Sequence, residues 1–176
     1  MGDKTRAPQL LVADFFTGSY RVSGSVDVHS LRLADQLEDR ASSFLQLEDA
    51  YVSNLERPAE IVASHTRAIL RKERIVAALV AREENGLSRQ TAYGSYRGGH
   101  LQRAFLIIPA FEVRGYLRLS GRLDLRSVVT EGNQFLPLVD ATMSLSARPD
   151  VAFSGGLLLV NRDHVEAMWE EEETDG

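Results

Sequence analysis

Two aspartates, Asp49 and Asp140, stand 91 positions apart in the matching contexts Leu47-Glu48-Asp49-Ala50 and Leu138-Val139-Asp140-Ala141. Carboxylates brought together can divide acid and base roles, because each perturbs the ionisation of the other. An aspartate beside alanine late in a strand also has a plainer use, accepting backbone hydrogen bonds at a bend. That structural role is the expectation for both. Two arginines keep the same spacing, in Arg57-Pro58 and Arg148-Pro149. Together with Tyr96 and Arg97, from the glycine-rich segment Tyr93-Gly94-Ser95-Tyr96-Arg97-Gly98-Gly99-His100, they are the side chains best suited by type to an anionic ligand. The proline after each arginine points equally to a shared turn at a strand end.

Other chemistries lack their residues. With no cysteine, disulfides, thiolate metal sites and cysteine nucleophiles are excluded. His29, His65, His100 and His164 stand singly, without the i, i+2 or i, i+4 spacing that puts two metal ligands side by side. No phosphate loop, no GxGxxG, no GxSxG and no HExxH occurs. No catalytic residue, metal or cofactor is therefore expected.

The 176 residues are 44% hydrophobic and 26% charged, which excludes a wholly disordered chain, a collagen-like repeat and a bundle of membrane-spanning helices. The apolar start Leu10-Leu11-Val12-Ala13 is interrupted by Asp14, too soon for a signal-peptide core, so a cytoplasmic protein is expected. Net charge is −5, but residues 57–103 carry 9 basic against 4 acidic side chains. That basic middle suits either an anionic partner or the acidic ends of its own chain.

The elements that must position these residues emerge when the chain is slid along itself by 91 positions. Residues 20–58 set against 111–149 share 10 identities in 39 positions, among them Val22, Gly24, Phe44, Leu45, Leu47, Asp49, Ala50, Arg57 and Pro58. Unrelated sequences would share roughly 2 or 3. The expectation is an internal duplication: repeat one at 9–82, a connecting loop at 83–101, repeat two at 102–170 and a solvated acidic tail at 171–176. Copies of this size are marginal alone, so two halves sharing one core about a pseudo-two-fold axis are expected.

Within each copy, alternation marks half-buried strands at 20–28 and 111–119, each carrying a glycine that suggests a bulge or bend. Short helices follow at 31–39, capped by Ser30, and at 122–131, capped by Ser120 and stopped by Gly132. Further strands begin at Phe44 and Phe135, and both phenylalanines are expected in the core. Leu45, Leu47, Asp49 and Tyr51 are placed on one side, Phe44 and Ala50 on the other, with the Arg-Pro pairs ending the strands. In copy two, 156–160 and 165–169 read as a hairpin about Asn161-Arg162-Asp163-His164; in copy one, Ile75 to Arg82 reads as a strand by analogy with copy two, with a helix stopped by Gly86 as the alternative. The fold class is β-rich α+β, two pseudo-symmetric repeats of a small twisted antiparallel sheet or partial barrel, each with one short helix.

The helix Arg32-Leu33-Ala34-Asp35-Gln36-Leu37, the strand Phe135-Leu136-Pro137-Leu138-Val139-Asp140-Ala141 and the segment Leu158-Leu159-Val160-Asn161-Arg162-Asp163-His164-Val165 resemble an uncharacterised bacterial domain family. Its members carry an FLPLTDA-like strand and an NRDHI-like hairpin. The resemblance spans both copies and lends no catalytic residue. The leading expectation is a non-catalytic binding, assembly or regulatory module whose partner is protein, including a second copy of itself. The alternative is an Sm-like small-barrel binder of nucleic acid or anions using the basic 57–103 stretch. The acidic total and the lack of a stacking platform beyond Tyr93 and Tyr96 weigh against nucleic acid; a hydrolase ranks third.

Overall fold

The computed structural model describes residues 7–87 and 99–172. Its strands form one open antiparallel sheet of ten. The first half contributes β1 (Leu10–Phe16), β2 (Tyr20–Asp27), helix α1 (Leu33–Glu38), β3 (Phe44–Asn54), β4 (Arg57–Arg71), a 3-10 turn (Lys72–Arg74) and β5 (Ala77–Val80). A one-turn helix α2 (Glu83–Gly86) follows. The second half repeats the order with β6 (His100–Ile108), β7 (Phe111–Leu119), α3 (Leu125–Thr130), β8 (Phe135–Leu145), β9 (Arg148–Asn161), a 3-10 turn (Arg162–His164) and β10 (Ala167–Glu170). Across the sheet the order is β10-β6-β7-β8-β9-β5-β1-β2-β3-β4.

Matching distortions bend both halves. Ser23 pairs with Tyr51 and Ser25 with Glu48, so Gly24 faces two residues, Asp49 and Ala50. Arg114 pairs with Thr142 and Tyr116 with Val139, which sets Gly115 against Asp140 and Ala141. These are β-bulges, and the extra residue in each is the aspartate, at φ 48° in both. Aspartate tolerates this left-handed conformation better than most side chains. Opposite it, glycine is needed for space: a Cβ on Gly24 would lie 3.3 Å from that of Leu47, and one on Gly115 would lie 3.0 Å from that of Ala141. The bulge also resets the alternation. Leu45, Leu47 and Ala50 face inward while Asp49 and Tyr51 are exposed, which corrects the sides expected from strict period two.

The central strands β5 and β9 pair through Ala77↔Val160, Ala78↔Leu159, Leu79↔Leu158 and Val80↔Leu157. All eight residues are buried. One core takes Ala77, Leu79, Leu158 and Val160 together with Phe16, Phe111 and Met143. The other takes Ala78, Val80, Leu157 and Leu159 with Phe15, Leu47 and Phe135. Burial on both faces explains why these strands read as continuous apolar runs without alternation. Phe16 closes the first core edge-on to Phe111, ring centroids 5.5 Å apart.

Several sequence expectations are corrected. Phe135 is buried at 3% exposure, but Phe44 is 43% exposed, its ring beneath the Arg71 guanidinium at 4.9 Å. Ser30 does not cap α1, whose N-cap Arg32 offers no side-chain bond. The cap of α3 is Asp124 in place of Ser120; its carboxylate accepts from the Arg126 amide at 3.1 Å and the Ser127 hydroxyl at 2.9 Å. Gly132 follows α3 at φ 86°, as a helix-stopping glycine should. β9 and β10 do not form a hairpin: the 3-10 turn redirects the chain to β6, while the edge of β9 is taken by β5. The Arg-Pro pairs open β4 and β9 instead of ending strands. Their prolines are tolerated because β4 is an edge and β5 pairs with β9 only from Leu157 onward. The connection begins in α2, and the tail begins ordered, with Glu171 3.0 Å from Arg103 and 3.2 Å from Arg114.

Phe135→Ala should cost about 3–5 kcal/mol and Phe44→Ala only about 1 kcal/mol, compared by denaturant unfolding. Asp124 is held below the ordinary carboxylate range, chiefly by the Ser127 hydroxyl. A lowered folded value means its stabilisation is present above the unfolded value and lost as pH falls through the folded one. Asp124→Ala should therefore lower Tm at neutral pH, and the deficit should begin to shrink as pH drops below about 4 and vanish only below the lowered folded value.

Candidate functional site

A polar concavity lies at one end of the seam between the halves, a cleft of about 290 Å³ lined by Glu38, Arg40 and Lys72 from the first half and by Gln134, Asn161 and Asp163 from the second. α1 delivers Glu38 at its C-terminal end, and both 3-10 turns reach the cleft. Glu38 crosses the seam: its two carboxylate oxygens accept from the amides of Gln134 at 2.9 Å and Phe135 at 2.7 Å. Asn161, 2% exposed, ties three strands together. Its Oδ1 accepts from Gln134 Nε2 at 2.8 Å and its Nδ2 donates to the Ile75 carbonyl at 3.0 Å. Its own amide donates to the Val76 carbonyl at 3.0 Å. His164 Nε2 lies 2.8 Å from the Glu73 carbonyl, a further contact between halves.

This chemistry fastens backbone. Glu38 is engaged by two amides of the other half, and within the first half the Lys72 ammonium donates to the Asp39 carbonyl at 2.8 Å. Arg162 differs. Its Nε and Nη1 are buried without hydrogen-bond partners, beside an apolar cleft of about 140 Å³ lined by Leu117, Leu119 and Leu136. Burial lowers the pKa of its guanidinium, and Glu38 partly offsets that effect. The cation could meet an anionic group at the rim of this cleft.

Of the residues expected from sequence, the two Arg-Pro turns come together and the two aspartates do not. Arg57 and Arg148 sit at the starts of β4 and β9, each in an exposed ion pair, with Glu60 at 3.1 Å and Asp150 at 2.9 Å. Arg148 also donates to the Glu56 carbonyl at 2.9 Å, which brings the two Arg-Pro turns together. Tyr96 and Arg97 lie outside the described residues. Asp49 and Asp140 are exposed on β3 and β8, with four strands between them in the sheet, so they form no carboxylate pair. Among the described residues, no group of three or more His, Asp or Glu side chains gathers in a way that would hold a metal ion. No helix among them is long and apolar enough to cross a membrane. The reading by type missed Glu38, Gln134 and Asn161. Asn161 was within reach, since it opens the Asn-Arg-Asp-His segment; Glu38 carries no sequence signal of its own.

Comparison with family models, with characterised proteins and with solved structures finds no match for this chain.

Asn161→Ala removes a buried three-way tie and leaves the Ile75 carbonyl unsatisfied. The expected loss is about 2–4 kcal/mol in urea unfolding, whereas Arg57→Ala, in an exposed pair, should change stability by less than about 1 kcal/mol.

Proposed function

We propose that this protein is a non-catalytic binding and assembly module, an internal duplication whose two halves share their cores. The observation that carries the reading is the β5–β9 pairing, which buries eight consecutive-strand residues on both faces and joins the halves into one sheet. The recurrence of the element order, the two bulges and the identical φ at Asp49 and Asp140 support the duplication. The polar groups of the seam cleft support an architectural role, because Glu38, Lys72 and Asn161 are occupied in linking backbone. The resemblance of Phe135 to Ala141 and of Asn161 to His164 to an uncharacterised bacterial domain family adds no activity to this reading.

A second reading, an Sm-like small-barrel binder of nucleic acid or anions, is favoured by one observation. Arg67, Arg71 and Lys72 of the basic stretch lie on edge strand β4 and its turn. Against it, the Arg71 guanidinium covers Phe44, Lys72 is bonded to Asp39 and Arg57 is paired with Glu60.

Fragments 1–98 and 99–176, expressed separately, should each be unfolded, aggregated or self-paired, and mixing should restore a single cooperative melt. Two stable monomers with independent melts would contradict the shared core. Single-stranded RNA should give no mobility shift at physiological salt; a shift that weakens steeply as salt rises would instead establish the second reading.

A further inference from the structure

The pairing that joins the halves leaves its own complement unused. β9 is the fourth strand of the second half and β5 the fifth of the first, so the seam joins unlike edges. The outer edges of the sheet are the same two kinds: β4, fourth strand of the first half, and β10, fifth of the second. A contact between unlike edges is heterologous and can repeat from molecule to molecule until it closes. We infer that the chain assembles with further copies of itself head to tail, β10 of one copy adding to β4 of the next in the register that β5 uses on β9. This deepens the assembly reading above and rests on it.

The register follows from the internal pairs. Phe44 pairs with Arg71 and Phe135 with Asn161, so Arg67, Ala68, Ile69 and Leu70 of β4 correspond to Leu157, Leu158, Leu159 and Val160 of β9. Phe16 pairs with Ala77 and Ile107 with Ala167, so Ala167 to Glu170 correspond to Ala77 to Val80. Carried across, the seam pairs set Leu70 opposite Ala167, Ile69 opposite Met168, Ala68 opposite Trp169 and Arg67 opposite Glu170. The last is a pair of opposite charges, favourable directly across two strands.

Burial supports the same partner. Across the seam, Leu79 is 7% exposed and Leu159 is 1% exposed. Their counterparts Trp169 and Ile69 are 46% and 69% exposed. Ala68 and Leu70 pack only partly against their own core, and Met168 likewise against its own. In the added strand Trp169 covers Ala68 and Leu70, while Ile69 covers Met168, so each copy completes a core of the other. β4 also presents free backbone groups. At the seam the Asn161 amide donates outward to Val76, and that of the next residue, Arg162, donates inward to Gln134; Lys72 donates inward to Ser43 in the same way. Alternation then points the amides of Arg71 and Ile69 outward. One difference bounds the contact. Gly155 and Gly156, where a Cβ would come within 2.7 Å of the Val80 carbonyl oxygen and 2.8 Å of that of Ala81, correspond to His65 and Thr66 in β4. Their side chains bear on the carbonyl of Glu170, the counterpart of Val80, so the added strand goes no further than the Arg67–Glu170 pair, where the Glu170 carbonyl tilts away, and β10 ends there.

The test is the mass of the intact protein by sedimentation and native mass spectrometry at micromolar concentration. The expected species is larger than the 19.5 kDa chain. Glu170→Arg should raise its dissociation constant about fivefold, and the double variant R67E/E170R should restore it. Ile69→Pro removes an outward donor while sparing the β3 ladder and should abolish assembly, with an unchanged melt at dilution showing that the fold survives. A monomer, or a larger species indifferent to both Glu170→Arg and Ile69→Pro, overturns the proposal. A monomer whose fragments still reconstitute removes only the head-to-tail contact and leaves the module standing; assembly without reconstitution does the reverse.

Discussion

Four residue pairs between β5 and β9 set the form of everything else. Six of the eight side chains are leucine or valine, and each is worth roughly 1.5–3 kcal/mol when fully buried. Their gross contribution, on the order of 10 kcal/mol, is comparable to the whole net stability of an ordinary domain. Neither half can release the other without exposing both of its own core faces. The seam also demands close backbone approach, which is why Gly155 and Gly156 stand where Val80 and Ala81 present their carbonyls. Gly86, whose Cβ would strike Leu157, lets α2 close over the same strand.

The strongest local features were legible because they repeat. Strand limits at 20–28 and 111–119 agree with β2 and β7 to within a residue, and the starts at Phe44 and Phe135 with β3 and β8, since alternation and the paired glycines fix them. The glycine-aspartate bulge was half legible: Gly24 and Gly115 announced a distortion, but the side-switch it imposes on Ala50 and Ala141 depends on the left-handed aspartate. Phe44 misled because its twin Phe135 is buried by the opposite half, whereas Phe44 lies beside the outermost strand. Neighbourhood in the sheet decided this, and composition carries no trace of it. The partner of β10 was hidden for the same reason: residues 165–169 read as a hairpin arm, and nothing in their pattern points to β6.

The candidate site was less legible than the fold. Recurrence drew attention to Asp49, Asp140, Arg57 and Arg148, but residues that recur serve what both halves do alike, which is to bend and turn. Residues unique to the seam do not recur. Glu38 reaches Gln134 and Phe135 because one half meets the other at that point. The polar groups are thus arranged to fasten backbone to backbone, and three of the nine basic residues of 57–103, Arg71, Lys72 and Arg57, are engaged by Phe44, Asp39 and Glu60. Arg162, with two buried donors beside an apolar cleft, is the exception in the second half.

The central claim is that the seam is the most stable part of the molecule and opens only when the whole chain unfolds. Residue-resolved amide hydrogen exchange on the intact protein tests it directly. The amides of Ala77–Val80 and Leu157–Val160 that bond across the seam should exchange at the rate of global unfolding, with the same denaturant dependence as the slowest amides of β2 and β7. Exchange at the seam through a smaller opening, while β2 and β7 stay protected, would show two modules resting side by side and contradict the shared core.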